Sequence, residues 1–366
     1  MKKIIVTGGH LTPALATIDE LRKEADVEII FIGRSRATEG DKAPSAESVI
    51  IPNLGIKFYA INAGRLQRRF TKYTLWALGK IPVGLVQALG ILSRERPQAI
   101  LSFGSYVAAP VVLAGWILGI PVITHEQTFK GGLSNRFIGH FAKKIALAWE
   151  HSREFFPKEK VVVVGNPIRK ELLQLKKRRT THPVIYITGG NQGAHAINEM
   201  VMDILPDLLK EYEVIHQTGG SEVYKDYEAL AALAGQLPLR LRSRYIVAKW
   251  FNTEESVAVF AKTSVVVGRS GANTVVETMA LGLPAVYIPL PISANHEQVK
   301  NAKVMEDLGA ALVLPQERLT PKRLLAAIKL VIKDYKKFHD NAKKAQKILK
   351  LNAASLLAKE TLDLVK

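Results

Sequence analysis

Ten short runs rich in Val and Ile, separated by segments of helical length, constrain this chain more than any other feature. They are KKIIVTG, VEIIFIG, QAILSFG, IPVITHE and KVVVVGN in the first half, then HPVIYITGG, YEVIHQTGG, RYIVAKW, SVVVGRSG and PAVYIPL. A strand apolar along its whole length is buried on both faces, which happens in parallel sheets covered by helices. The alternation predicts a doubly wound α/β sheet in each half. At 366 residues the chain exceeds what one core usually holds, so two domains are expected. Gly165, Asn166 and Pro167, followed by the charged stretch LLQLKKRRTTHP, place the boundary between them. The last segment, ILKLNAASLLAKETLDLV, keeps apolar residues at three and four spacing and reads as a surface helix.

The uncharged stretch from Pro97 to Thr124 is long enough to be weighed as a membrane span. Pro110, Gly115, Gly119 and Pro121, with Ser102, Ser105 and Tyr106, instead divide it into strand, helix and strand. The start, MKKIIVTGGH, is too brief an apolar run for a signal peptide, so the chain is expected to begin at Met1. With no cysteine there is no disulfide, thiolate metal site or cysteine nucleophile, which suits a reducing cytoplasm. The net charge of +18, from 51 Lys and Arg against 33 Asp and Glu, attracts a polyanion: nucleic acid, nucleotide-sugar or anionic lipid. No acidic residue lies between Glu47 and Glu95, a window that holds Lys57, Arg65, Arg68, Arg69, Lys72, Lys80 and Arg94.

Three loops carry the chemistry. VTGGHLTPALA places Thr7, Gly8, Gly9 and His10 in the turn from the first strand to the first helix, where open parallel sheets bind ligands. Glycine admits close approach, and amides at a helix start favour an anion. The plainer alternative is a tight connection with a solvated histidine. The pattern is not GxGxxG, so a dinucleotide cofactor is poorly supported. VIYITGGNQGAHAIN opens the second half in parallel fashion with Gly189, Gly190, Asn191, Gln192 and Gly193, which points to two facing nucleotide-fold domains with a cleft between. Finally, VVVGRSGANTVVETMALGLPAVYIPLPISANHEQVKNA runs a strand into Arg269, Ser270, Gly271 and Ala272, then a helix bearing Glu277, then a loop with His296, Glu297, Gln298 and Asn301. Helix-start amides suit a diphosphate, a carboxylate one turn in can accept both ribose hydroxyls, and an amide can fix sugar hydroxyls. A capped helix with a solvated Glu277 is the plainer reading.

GRSGANTVVETMALGLPAVYIPLP followed by HEQVKNA resembles the donor-nucleotide motif of the MurG glycosyltransferases. TGGHLTP, GSYVAAPVVLAGWILGIPVITHEQ, VGNPIRKEL and GGNQGAHAIN fall in that family's order, so the likeness spans nearly the whole chain. The resemblance implies the two-domain glycosyltransferase fold called GT-B, with residues 1–163 plus a C-terminal helix 345–366 as acceptor and membrane domain and 164–344 as UDP-sugar domain. It implies inverting transfer of N-acetylglucosamine from UDP-N-acetylglucosamine to an undecaprenyl diphosphate-linked muramyl peptide in peptidoglycan synthesis. By position, Thr7, Gly8 and Gly9 would lie near diphosphate and sugar, Arg169 would reach the donor, and Phe251 would meet uracil through its backbone. Ala272, Asn273, Thr274, Val275, Val276 and Glu277 would hold diphosphate and ribose, and Gln298 the sugar hydroxyls. Thr128 and Asn191 would also bind substrate, Asn191 standing where the family usually has serine. Other departures are the short VTGGH, Gly104-Ser105-Tyr106 for GGY, Thr128 where HEQN is common, His195 where Arg is frequent, and Glu297 for Gln or His.

His10 is the implied general base, with Glu126 the alternative. No Asp-x-Asp pair occurs, so no cofactor and no obligatory metal are expected. RLQRRFTKYTLWALGKIPVGLVQALGIL sets Arg65, Arg68, Arg69, Lys72 and Lys80 beside Phe70, Tyr73 and Trp76, a mixture suited to an anionic membrane surface, which the resemblance implies to be the cytoplasmic face. An ordinary amphipathic helix with Trp76 in the core is the alternative. Single-stranded nucleic acid is a rival partner without a recognisable module, and no nucleic acid is expected. A UDP-N-acetylglucosamine epimerase would need acidic groups around the sugar and no lipid surface. A glycolipid synthase would share the C-terminal motif but not the HEQ segment.

Overall fold

The computed structural model describes residues 2–36, 45–64, 72–190, 192–293 and 296–365, with residues 72–81 as backbone. The chain forms two compact units, Met1–Arg169 with Lys350–Lys366, and Lys170–Leu349.

Seven strands of the first unit are β1 (Lys2–Thr7), β2 (Val27–Gly33), β3 (Lys57–Ala60), β4 (Ala99–Ser102), β5 (Val122–Glu126), β6 (Lys144–Leu147) and β7 (Val161–Val163). They pair in parallel in the order β3-β2-β1-β4-β5-β6-β7. Successive residues of β1 enter opposite cores: Ile4 and Val6 pack with Ala14, Ile18 and Leu357, and Ile5 packs with Ile30, Val111 and Ile138. Both faces are covered, which is why these strands read as unbroken apolar runs.

The second unit holds β8 (Val184–Thr188), β9 (Glu213–Gln217), β10 (Tyr245–Ala248), β11 (Val265–Gly268), β12 (Ala285–Tyr287) and β13 (Ala311–Val313), parallel in the order β10-β9-β8-β11-β12-β13. Its core gathers Ile185, Ile187, Val265 and Val267 against Ile197, Val201 and Ile204 of the helix His195–Glu211 and Leu324, Ile328 and Val331 of the helix Pro321–Lys333.

All ten apolar runs contain a strand. The sequence does not mark β3, β6 and β13, which are only three or four residues long and owe their extended form to the strands beside them. The Pro97–Thr124 stretch divides into β4, the helix Ala108–Ile117 and β5, and no helix among the described residues is long and apolar enough to cross a membrane.

The unit boundaries differ from the expected residues 163/164 and 344/345. The amides of Val164 and Gly165 both donate to Leu147 O, which keeps this segment with the first sheet. Gln346 Nε2 donates to Ala280 O, so the chain leaves the second unit only after residue 349. The C-terminal helix Ala353–Leu362 then returns to the first unit, where Leu357 and Ala358 join the core that holds Ala14, Ile18 and Leu21.

Candidate active site

In the first sheet the strand order reverses between β1 and β4, and ligands of open parallel sheets bind beyond the carboxyl ends of strands at such a point. Thr7, fully buried, closes β1. At Gly8, with φ +142°, a Cβ would lie 2.8 Å from the Phe103 carbonyl carbon, and at Gly9 one would lie 2.7 Å from Ser105 Cβ. The turn after β1 and the loop after β4 approach so closely that neither glycine tolerates a side chain. Ser105 itself takes φ +71°, a left-handed conformation that disfavours a Cβ.

His10 is half-buried at the N-terminus of the helix Leu11–Glu24 and makes no capping bond with its side chain. Its Nδ1 lies 2.8 Å from Gln127 Nε2. Loss of water lowers its pKa from the ordinary value, with Glu126 raising it and Arg34 lowering it. The ring is therefore neutral at pH 7, as a base must be. Glu126 fits the alternative role poorly. Its Oε1 accepts from the amide and hydroxyl of Thr128, both at 2.7 Å, and its Oε2 from the Gly132 amide at 2.8 Å and Asn135 Nδ2 at 3.0 Å. Four donors occupy its lone pairs, so it fixes the 126–132 loop and has little left for a substrate proton. Thr128 is committed to the same carboxylate through its only hydroxyl proton.

Asn135 ties this loop inward, donating to His125 O at 3.0 Å and accepting from Thr124 Oγ1 at 3.1 Å. His125 donates Nε2–H to Gly165 O at 2.9 Å, and burial brings its pKa down to about 4. Arg34, just beyond β2, donates to Glu47 Oε1 at 2.9 Å and lies beside Tyr106. Sequence reasoning missed Arg34, Gln127 and Asn135 because each acquires its role only through distant partners.

The second sheet reverses between β8 and β11. A Cβ on Gly193, at φ +77°, would lie 2.0 Å from Thr218 O, so the Gly189–Gly193 loop sits directly on the loop after β9. Asn191 lies outside the described residues. The helix Ala272–Ala280 starts just after β11, with Ala272, Asn273 and Thr274 half-buried. An α-helix cannot satisfy its first-turn amides from within, so those of residues 272–274 point out of the helix start. Val275 and Val276 do not fit the expected contact role. Both side chains are 1% exposed, and the Val275 amide donates to Gly271 O. Helical periodicity turns these two into the core.

Glu277 follows, half-buried, one turn into the helix. Gln298 Oε1 accepts from the Leu290 amide at 3.0 Å, which leaves its amide nitrogen as the end suited to a sugar hydroxyl. Phe251 is half-buried, its ring 6.3 Å from that of Tyr186. Arg269 donates to Ile288 O at 2.9 Å and to Gln316 Oε1 at 2.5 Å, joining the segments after β11, β12 and β13. Burial lowers its pKa to about 10, so it keeps its charge at neutral pH. At His195, Nδ1 lies 2.7 Å from Asp226 Oδ1 and the ring stacks on Tyr224 with centroids 4.0 Å apart. Arg169 is the last residue of the first unit before the chain crosses to the second.

Of the basic strip, Arg65, Arg68, Arg69 and Phe70 lie outside the described residues, and Lys72 and Trp76 belong to the helix Lys72–Glu95, whose side chains are described from residue 82. The layer of helices on that face carries an apolar patch the sequence does not announce. Trp116 is 57% exposed, Phe137 48% and Leu133 68%, while Phe141 joins Trp116 and Phe137 at ring distances of 5.3 and 5.1 Å.

Comparison with known proteins places these features in one family. Residues 4–147 match the glycosyltransferase family 28 N-terminal domain and residues 184–360 its C-terminal domain. The UDP-N-acetylglucosamine–N-acetylmuramyl-(pentapeptide) pyrophosphoryl-undecaprenol N-acetylglucosamine transferase of Thermoanaerobacter sp. (strain X514) is 32% identical, with 96% of each chain covered. The enzyme of the same description from Bacillus licheniformis is 34% identical, over 96% of this chain and 94% of its own. Among solved structures, Acinetobacter baumannii MurG superposes with a TM-score of 0.71 at 25% identity, covering 99% of this chain and 100% of that one. The UDP-GlcNAc 2-epimerase of Neisseria meningitidis, at 14% identity and a TM-score of 0.65 over 99% and 100% of the two chains, shares the fold alone. On two parallel-sheet α/β units of the GT-B type and about a third of its residues shared along nearly its whole length, the chain belongs to the MurG glycosyltransferases of glycosyltransferase family 28.

Proposed function

We propose that this glycosyltransferase moves N-acetylglucosamine from UDP-N-acetylglucosamine to the muramyl sugar of an undecaprenyl diphosphate-linked muramyl peptide, with inversion, in peptidoglycan synthesis. The observation that carries the reading is the second unit's reversal point, where the helix start at 272–274 and Glu277 stand beside the Gly189–Gly193 loop on adjacent strands. That arrangement suits a nucleoside diphosphate: amides for phosphate oxygens, a carboxylate for ribose. The relatives' names supply the uridine donor and the lipid acceptor.

In the mechanism, the acceptor hydroxyl attacks the anomeric carbon as UDP departs, and His10 takes the proton. Helix-start amides and Arg169 stabilise the leaving diphosphate. Gln298 fixes the sugar, the backbone at Phe251 meets the base, and Thr7, Gly8 and Gly9 line the sugar end. No step calls on a metal or cofactor. With radiolabelled donor, label should enter the lipid phase only when acceptor is present, and equally in EDTA. Conversion of the donor sugar without acceptor, or dependence on a metal, would overturn the reading.

The same proposal seats the enzyme at the cytoplasmic face of the membrane through Arg65, Arg68, Arg69, Phe70, Lys72 and Trp76. The exposed Trp116, Leu133 and Phe137, with Val83 46% and Val86 67% exposed on the helix Lys72–Glu95, support an apolar membrane contact on this layer of helices. A bare apolar patch that mixes aliphatic and aromatic side chains suits the lipid interface. Charge reversal at Arg65, Arg68 and Arg69, or Trp116→Ser, should each weaken sedimentation with anionic vesicles. Unchanged binding in both variants would remove the assignment.

A further inference from the structure

Gln127 follows β5, is 6% exposed, and brings its amide nitrogen to 2.8 Å from His10 Nδ1. Its Oε1 is buried without a hydrogen-bond partner. An amide nitrogen only donates, so Nδ1 accepts, and the neutral ring carries its hydrogen on Nε2. That is the wrong tautomer for a base. With Nδ1 held by Gln127, Nε2 is the atom that must meet the acceptor hydroxyl, and it must offer a lone pair. A half-turn of the amide about Cγ–Cδ exchanges its two ends. Oε1 then accepts Nδ1–H, and Nε2 becomes basic.

We propose that Gln127 is a positioning residue which selects, by the orientation of its amide, the ring nitrogen of His10 that carries the proton. The arrangement described is the resting one, and the productive one has the amide turned. This deepens the reading of His10 as base and rests on it. In the productive arrangement the acceptor O–H proton passes to Nε2, the acceptor oxygen bonds the anomeric carbon, and the bond to UDP breaks with its electron pair on the diphosphate. The Nδ1 proton stays on the ring, donated in a hydrogen bond to Gln127 Oε1. The charges that act on the ring are Glu126 of β5, which favours the imidazolium, and Arg34 after β2, which opposes it. Neighbouring His125 is neutral above about pH 4 and adds no charge in the working range.

Two near-isosteric variants and one spectroscopic readout test this. Glutamate at 127 can only accept, so Gln127→Glu should lock hydrogen on Nδ1 and move the acid limb of the kcat–pH profile to higher pH by stabilising the imidazolium. Gln127→Met removes orientation control, and should lower kcat roughly tenfold or more, with the 10²–10⁴ that a positioned base supplies as the ceiling. The KM for UDP-N-acetylglucosamine should not change. In ¹⁵N-histidine-labelled protein, His10 Nδ1 should give a pyridine-type resonance in the wild type and a pyrrole-type one in Gln127→Glu. Wild-type kcat and pH profile in Gln127→Met, or the same Nδ1 resonance type in Gln127→Glu and wild type, would overturn the proposal. His10→Ala with undiminished kcat would instead remove His10 as base, while the spectra would still report whether Gln127 sets the tautomer.

Discussion

Ser105 carries backbone strain at the first reversal point. Its φ of +71° suits glycine, and its Cβ faces Gly9 across the two loops of the first reversal point. A non-glycine residue in this region costs about 1–2 kcal/mol. Part of any relief is offset by the greater freedom glycine gives the unfolded chain. Ser105→Gly is expected to raise stability by about 1 kcal/mol, read as a higher urea midpoint. The same contact predicts coupling. Gly9→Ala should be strongly destabilising in the wild type, because its Cβ would sit 2.7 Å from Ser105 Cβ, and much less so in the Ser105→Gly background. Equal effects in both backgrounds would show that something other than this contact excludes a side chain at residue 9.

At the scale of an element, the helix Ala272–Ala280 separates two functions by its periodicity alone. Residues 272–274 and Glu277 stand toward the surface, whereas Val275, Val276 and Met279 are at most 1% exposed. A sequence motif read as a string treats all six residues from Ala272 to Glu277 as ligand contacts; the helix assigns two of them to the core. Val276→Ala is therefore expected to cost about 2 kcal/mol of stability through lost packing while UDP affinity, measured by calorimetry on folded protein, stays unchanged. Glu277→Ala should weaken UDP about tenfold or more, the scale of a hydrogen bond to a charged group. Loss of UDP binding in Val276→Ala at full folding would return that residue to the site.

For the whole molecule, both units carry a fully buried neutral histidine, and this makes acid a common weakness. His125 in the first unit has its pKa brought to about 4 by burial, and His216 in the second to about 3. The unfolded chain takes up these protons below the ordinary value near 6.5, whereas the folded chain does not. Each contribution is level above that value and declines as pH falls to the folded pKa. By pH 4, His125 alone should cost on the order of 3 kcal/mol. The urea midpoint is expected to fall steadily between pH 6.5 and 4. His125→Gln keeps a donor for Gly165 O without titrating, and should lose less over that interval; an equal loss would exclude His125 as a source.

Taken by itself, the sequence determined the architecture, because strands buried on both faces must be apolar throughout and helices must alternate with them. It also marked the loops at both reversal points, since glycine is required where backbones meet. It could not mark β3, β6 or β13, whose three or four residues are extended by their neighbours, and its periodicity showed a last helix whose unit only the family resemblance assigned. Only the tertiary structure joined Gln127 to His10 across 117 residues, saturated Glu126 with four donors, and brought Arg34 to Tyr106. Periodicity and turn chemistry act over a few residues, whereas the environment of a polar side chain is set by whatever the fold brings within hydrogen-bond reach.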